Sequence, residues 1–212
     1  TMPFVAKVTG NQIIKAGTLL MLGYTINEIK DKTNYLNSST EKIAIKKAIF
    51  PWSRFPAEDT MLGPEMKATG EVLGIGKDFG TALNKAYAAA GVEIGDKEKG
   101  VFVTLSDAEK PNFIEVVNKY VNLEFSIYAT EGTASFLKEN NIESIIVGRA
   151  DDESPTSLTI IEEKLISIVI NTPTFANEYT DGWKIRRLSH ETGVAVVSSV
   201  REAEAFLEAF LL

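Results

Sequence analysis

Thr130, Gly132 and Thr133 stand together in "FSIYATEGTASFL", where an apolar run gives way to a helix-like segment. Two hydroxyls and a glycine at a strand-to-helix turn can cradle an anion. The first N–H groups of a helix point outward, hydroxyls donate, and glycine lets a ligand approach the backbone. The same threonines can also serve as plain helix caps. Further groups of this kind follow the other apolar runs: Lys110 after the first, Arg149 after the third and Asn171 after the fourth. Each has a plainer reading: Lys110 as a solvated surface lysine, Arg149 as an ion-pair partner of Asp151 or Asp152, Asn171 as a turn residue. Hydroxyls, one amide and two cations are what a phosphate requires. Their recurrence after successive strands points to one shared anion pocket.

Other chemistries find little support. The chain has no cysteine, which excludes disulfides, thiolate zinc sites and cysteine nucleophiles. Its single histidine, His190 in "RRLSHETG", reads as a helix end. There is no Gly-x-Ser-x-Gly elbow, no P-loop and no His-Glu-x-x-His. Glu131, Asp151 and Asp152 are the acids near the expected pocket, and they do not form a convincing acid–base pair. A net charge of −7 argues against a nucleic-acid partner. No stretch approaches the roughly 18 to 20 apolar residues of a membrane span, and "TMPFVAKVTG" lacks a signal-peptide pattern. A cytoplasmic protein with no membrane partner is expected.

The elements that must position these residues alternate. Strands are predicted at 101–105, 125–129, 144–148, 166–171 and 194–197. Helices are predicted at 111–121, 133–140, 156–165 and 182–192, with a last one opened by the capping box Ser199–Glu202. Nearly continuous apolar strands are covered on both faces. The fold class is α/β: a three-layer α/β/α domain with a five-stranded parallel sheet over 99–212. Ligands of such sheets bind at the carboxyl ends of the strands. Upstream, residues 11–30 look partly helical and 30–42 loop-like. Residues 43–56 alternate weakly, and Pro51 and Pro56 break the pattern. Residues 62–76 suggest a buried irregular segment, and a helix begins at Lys77 and stops at Gly91. The domain boundary falls between this first unit, 1–91, and the second, 99–212.

"TMPFVAKVTG", "FPWSRFP", "LGPEMKATGEVLGIG" and "YATEGTA" together resemble the C-terminal end of the carbamoyl-phosphate synthase large subunit, in the same order over almost the whole chain. The resemblance implies that 99–212 is a methylglyoxal-synthase-like allosteric domain. It implies that 1–91 is a smaller α+β segment, the tail of the second ATP-grasp unit. The ATP, metal and carbamate sites would lie upstream, so no cofactor is expected in this chain. The parent would use ATP with Mg or Mn, a glutaminase small subunit and self-association, and would serve pyrimidine and arginine synthesis. This chain alone is not expected to make carbamoyl phosphate. The family's effector is a nucleoside monophosphate, UMP or IMP. Its site lysine falls on Lys110, its threonines on Thr130 and Thr133 around Gly132, and its asparagine on Asn171. Arg149 replaces a second lysine, keeping the charge and changing the geometry. Pro173 replaces a threonine, with Thr174 adjacent. Ornithine activates some members, but the glutamate it needs is Lys47 here, and Val196, Val197 and Ser198 replace a tyrosine, an aspartate and a threonine. Ornithine is therefore not expected to bind. Two rivals remain: a methylglyoxal-synthase-type lyase using Asp151 or Asp152, and an oligomerisation module whose effector site has decayed.

Overall fold

The computed structural model describes residues 2–34, 41–55, 60, 68, 70–92, 94, 96, 98–153, 155–172 and 180–211. The chain opens with three helices, α1 (Met2–Thr9), α2 (Ile13–Met21) and α3 (Ile26–Lys32). Thr25 and Glu28 form a full capping box on α3. An antiparallel pair follows, β1 (Ile43–Ile49) with β2 (Gly70–Gly76), and α4 (Phe79–Ala89) lies across it. A 3-10 turn at Trp52–Arg54 comes between the two strands.

The strand β2 corrects the expectation of an irregular segment over its part of 62–76. Gly74 and Gly76 are buried beneath α4. A Cβ on Gly76 would lie 2.6 Å from the Ala82 nitrogen, so the helix touches bare backbone. Two inward positions of this strand, 74 and 76, are glycine rather than apolar side chain, which weakens the period-2 signal.

The larger unit alternates as expected: β3 (Gly100–Thr104), α5 (Lys110–Asn122), β4 (Ile127–Thr130), α6 (Glu131–Glu139), β5 (Ile145–Val147), α7 (Ser157–Glu162), β6 (Ile166–Asn171), α8 (Asp181–Thr192), β7 (Ala195–Val197) and α9 (Val200–Phe210). The five strands are parallel, in the order β5-β4-β3-β6-β7. Successive side chains of a strand point to opposite faces, and both faces are filled. Val101 and Val103 pack with Phe113, Tyr120, Leu137 and Phe206 on one side. Phe102 packs with Ile160, Ile161 and Ile185 on the other. Helix α4 reaches this unit too: Leu83 joins the first cluster, and Asn84 Nδ2 donates to the Ala209 carbonyl at 2.9 Å.

The chain moves outward from β3 through β4 to β5, then returns to β6 on the other side of β3. The switch point is therefore between β3 and β6, and the crevice there is where such sheets take ligands. No helix among the described residues is long and apolar enough to cross a membrane.

Candidate functional site

Thr130 ends β4 and is the N-cap residue of α6, with extended φ −68° and ψ 152°. Its side chain makes no capping hydrogen bond, whereas Thr25, Asp78, Thr156, Thr180 and Ser199 each accept one at their helices. The plain cap reading of Thr130 therefore fails. Its hydroxyl instead donates to Thr133 Oγ1 at 3.4 Å and reaches Thr104 Oγ1 at 3.5 Å. The first-turn N–H groups of α6 have no intrahelical acceptor and no acceptor from the cap. Thr133 is buried, and its Oγ1 accepts the Leu105 N–H at 3.1 Å. It pins the end of β3 to α6.

Lys110 opens α5 and is only 14% exposed along its side chain. Its Nζ lies 2.6 Å from Asp107 Oδ1 and stands over the start of α6, 3.9 Å from where a Gly132 Cβ would be. The ammonium, first through its hydrogen bond and then through its charge, holds the Asp107 carboxyl below the usual carboxylate range. Asp107 sits three residues before Lys110, and that spacing is the signal by which the pair could have been read.

Lys110, Thr130, Gly132, Thr133 and Arg149 line one cavity of about 530 Å³ over the carboxyl ends of β3, β4 and β5. Arg149 stands at its rim, 80% exposed, with Nε 3.6 Å from Asp181 Oδ2. Its pairing with Asp151 or Asp152 is not what is found. Asp151 pairs with Lys184 at 2.7 Å, and Asp152 Oδ2 accepts the Arg149 backbone N–H at 2.7 Å. Asn171 is buried behind the first turn of α8, where its Oδ1 accepts from Arg186 Nη1 at 2.7 Å. It adjoins the cavity wall at Gly182 rather than lining the cavity. Thr172, which follows Asn171 and is not among the candidate site residues, accepts the Ser106 N–H on its Oγ1 at 2.7 Å and ties the end of β6 to β3. Pro173 and Thr174 lie outside the described residues.

Asp107, Glu131, Asp152 and Asp181 line the cavity alongside its two cations, Lys110 and Arg149. The overall charge of the cavity therefore does not favour an anion; the donors that suit one are local, at the α6 end. The opposite end, with Asp152 and Asp181, favours neutral hydrogen-bond donors. A second cavity of about 630 Å³ opens beside Gly91, Lys164 and Gly193, at the amino ends of the strands. Lys85, Lys99 and Lys164 line it with Asp96; Lys85 donates to the Ile75 carbonyl and Lys99 pairs with Asp96, and the last turns of α4 and α8 bring carbonyl oxygens there.

Thr133→Val is expected to act twice. It removes a donor from the site and leaves the buried Leu105 N–H without its acceptor, at a stability cost of about 1–3 kcal/mol. Thr130→Val should weaken anion binding with a smaller loss of stability. Urea midpoints beside calorimetric affinities distinguish the two.

At the position where ornithine recognition would need an acid, Lys47 places its ammonium 4.1 Å from the centre of the Tyr87 ring. Burial lowers its pKa, and Glu202 opposes that shift. Burial also pushes the Tyr87 phenol up to about 12. His190 lies beside the Trp52 ring, 5.8 Å between centroids, at the far end of α8 from the cavity. Among the described residues no group of His, Asp and Glu could hold a metal ion.

Residues 112–198 match the family of MGS-like domains. Over 99% of its length the chain is 35% identical to the carbamoyl phosphate synthase large chain, C-terminal section, of Aquifex aeolicus, covering 41% of that protein. It is 37% identical over its full length to the corresponding section from Methanopyrus kandleri, covering 40% of it. It is 39% identical over 98% of its length to the large chain of Lachnoclostridium phytofermentans, covering 19% of it. The chain thus spans between about a fifth and two fifths of the relatives it matches. It belongs to the carbamoyl phosphate synthase large-chain family, as a C-terminal part carrying the MGS-like domain.

Proposed function

We propose that the α/β unit is the regulatory module of a carbamoyl phosphate synthase and binds a nucleoside monophosphate, UMP or IMP, by its phosphate. One observation carries this reading: the α6 N-terminus, without a side-chain cap, faces the cavity at the carboxyl ends of β3, β4 and β5, beneath the Lys110 ammonium. The phosphate takes up the outward N–H groups of the first α6 turn and the Thr130 and Thr133 hydroxyls, and shares Lys110 with Asp107. The carboxylates at the other end accept from the hydroxyls and N–H groups of the nucleoside.

The parent enzyme in this reading is a ligase that joins bicarbonate, glutamine-derived ammonia and phosphate from ATP, with a glutaminase small subunit as partner. The role proposed for this chain within it is effector binding. Calorimetric titration with UMP and IMP tests the effector reading, with micromolar binding of at least one expected. No binding by either would favour the oligomerisation module. The exposed Ile145 and Ile146 on the edge strand β5 suit that alternative. The lyase alternative lacks a histidine lining the cavity, and no turnover of dihydroxyacetone phosphate is expected.

Gly132→Ala gives opposite signs in two measurements. A Cβ at this position meets only Lys110 Nζ, at 3.9 Å, so the free protein has room for it. Alanine in a helix is favoured over glycine by up to about 1 kcal/mol. Thermal stability should hold or rise, while phosphate affinity falls because the methyl group occupies the approach to the backbone. Unchanged affinity would place the anion elsewhere.

A further inference from the structure

Arg186 and Arg187 are adjacent on α8, and both are buried, 6% and 7% exposed. Buried guanidinium groups are uncommon and require hydrogen-bonded partners. These two reach in different directions. Arg186 Nη1 holds Asn171 Oδ1 at 2.7 Å, behind the cavity wall that Asp181, Gly182 and Ile185 build. A Cβ on Gly182 would stand 3.1 Å from that Nη1, so there is little slack between the first turn of α8 and the guanidinium. Arg187 reaches out of the α/β unit. Its Nη1 donates to the Phe55 carbonyl at 2.6 Å, its Nη2 to the Trp52 carbonyl at 2.8 Å, and its Nε to Glu191 Oε1 at 2.6 Å. Trp52 is itself buried, stacks on Phe50 at 5.2 Å and meets His190 one turn further along α8.

A planar fork on two carbonyls three residues apart tolerates little displacement. The 3-10 turn it grips follows directly on β1, in the first unit of the chain. We infer that α8 couples the cavity to the Trp52–Phe55 segment, with Arg186 and Arg187 as positioning residues. Occupancy of the cavity and order in that segment are then linked, and the linkage runs both ways. This rests on the anion-site reading above, since it needs a ligand in the cavity. It adds the route by which that ligand would be felt in the first unit.

Amide hydrogen exchange on the 212-residue chain tests it, with and without saturating UMP and, separately, IMP. The Arg54 and Phe55 N–H groups are suitable reporters, because each is bonded within the turn, to Pro51 and Trp52 carbonyls. In the unaltered protein, ligand should slow exchange several-fold both in the first turn of α6 and at residues 52–55. In Arg187→Lys the α6 response should survive while the response at 52–55 is lost. By reciprocity the affinity of that variant should fall by about fivefold or more. Protection at α6 with none at 52–55 in the unaltered protein overturns the coupling and leaves the anion site standing. Protection nowhere, with no heat of binding, overturns both. The comparison on the unaltered protein decides the matter even if the variant does not fold.

Discussion

Gly74→Ala lowers the stability of the chain by about 3 kcal/mol, the upper part of the range for overpacked sites. The added methyl group would run into the Ala82 carbonyl oxygen, 2.5 Å from the Ala86 nitrogen and 2.9 Å from the Ala86 Cβ. None of these atoms is the end of a flexible side chain, so relief requires moving α4 off β2. Helix α4 is not free to move. On its other side Gly80 sits against the Glu208 carbonyl of α9, closely enough that a Cβ there would also collide. Leu83 is buried in the main core, and Asn84 holds the Ala209 carbonyl. The displacement is therefore passed into the larger unit, because close-packed interiors transmit strain. Urea unfolding measures it, and a midpoint lower by about 1–2 M is expected for a typical slope. Gly17→Ala in α2 is the control. Nothing stands within 4 Å of a Cβ there, so its midpoint should hold or rise. A Gly74→Ala midpoint equal to the unaltered one would show that α4 and β2 do not pack as described.

The same glycines explain why the first unit was the less legible half. Strand β2 turns Gly74 and Gly76 toward its helix, so the pattern that reveals a strand is weakened there. The α/β unit was legible because its strands are continuous apolar runs and its helices carry their own stops and starts. Ser199 does accept the Glu202 N–H, at 3.3 Å, as the capping box implies. The Glu202 carboxylate, however, turns to the Ser198 N–H at 3.0 Å. That most of the candidate residues would lie together was legible for a topological reason. Parallel strands bring all their carboxyl ends to one edge, so residues that follow different strands meet there. What the sequence does not show is the partner of each group. The Asn171–Arg186 bond joins residues 15 apart, and the Arg187–Trp52 bond joins residues 135 apart. Only the fold decides that Arg149 leans on Asp181 and that Thr130 leaves its helix uncapped.

Lys110→Met should weaken UMP or IMP binding by about 10- to 150-fold, the loss of one charge-assisted hydrogen bond of roughly 1.5–3 kcal/mol. The other groups that the α6 end would offer a phosphate are neutral: backbone N–H groups and two hydroxyls. Lys110 is the cation placed over them, and its side chain is largely withdrawn from water, so its charge is poorly screened. Arg149 cannot make up the loss from a rim position 80% exposed and beside Asp181. Stability should change little, because the partner that Lys110 gives up, Asp107, is 93% exposed. Asp107→Asn should move affinity the other way. It removes a competitor for the ammonium and a negative charge next to the incoming phosphate, so binding should tighten several-fold. Calorimetry on the two variants, at low and at physiological salt, gives the test. If both variants bind like the unaltered protein, the anion does not sit at α6. If Lys110→Met alone weakens binding and Asp107→Asn leaves it unchanged, Lys110 reaches the phosphate without having to leave its aspartate.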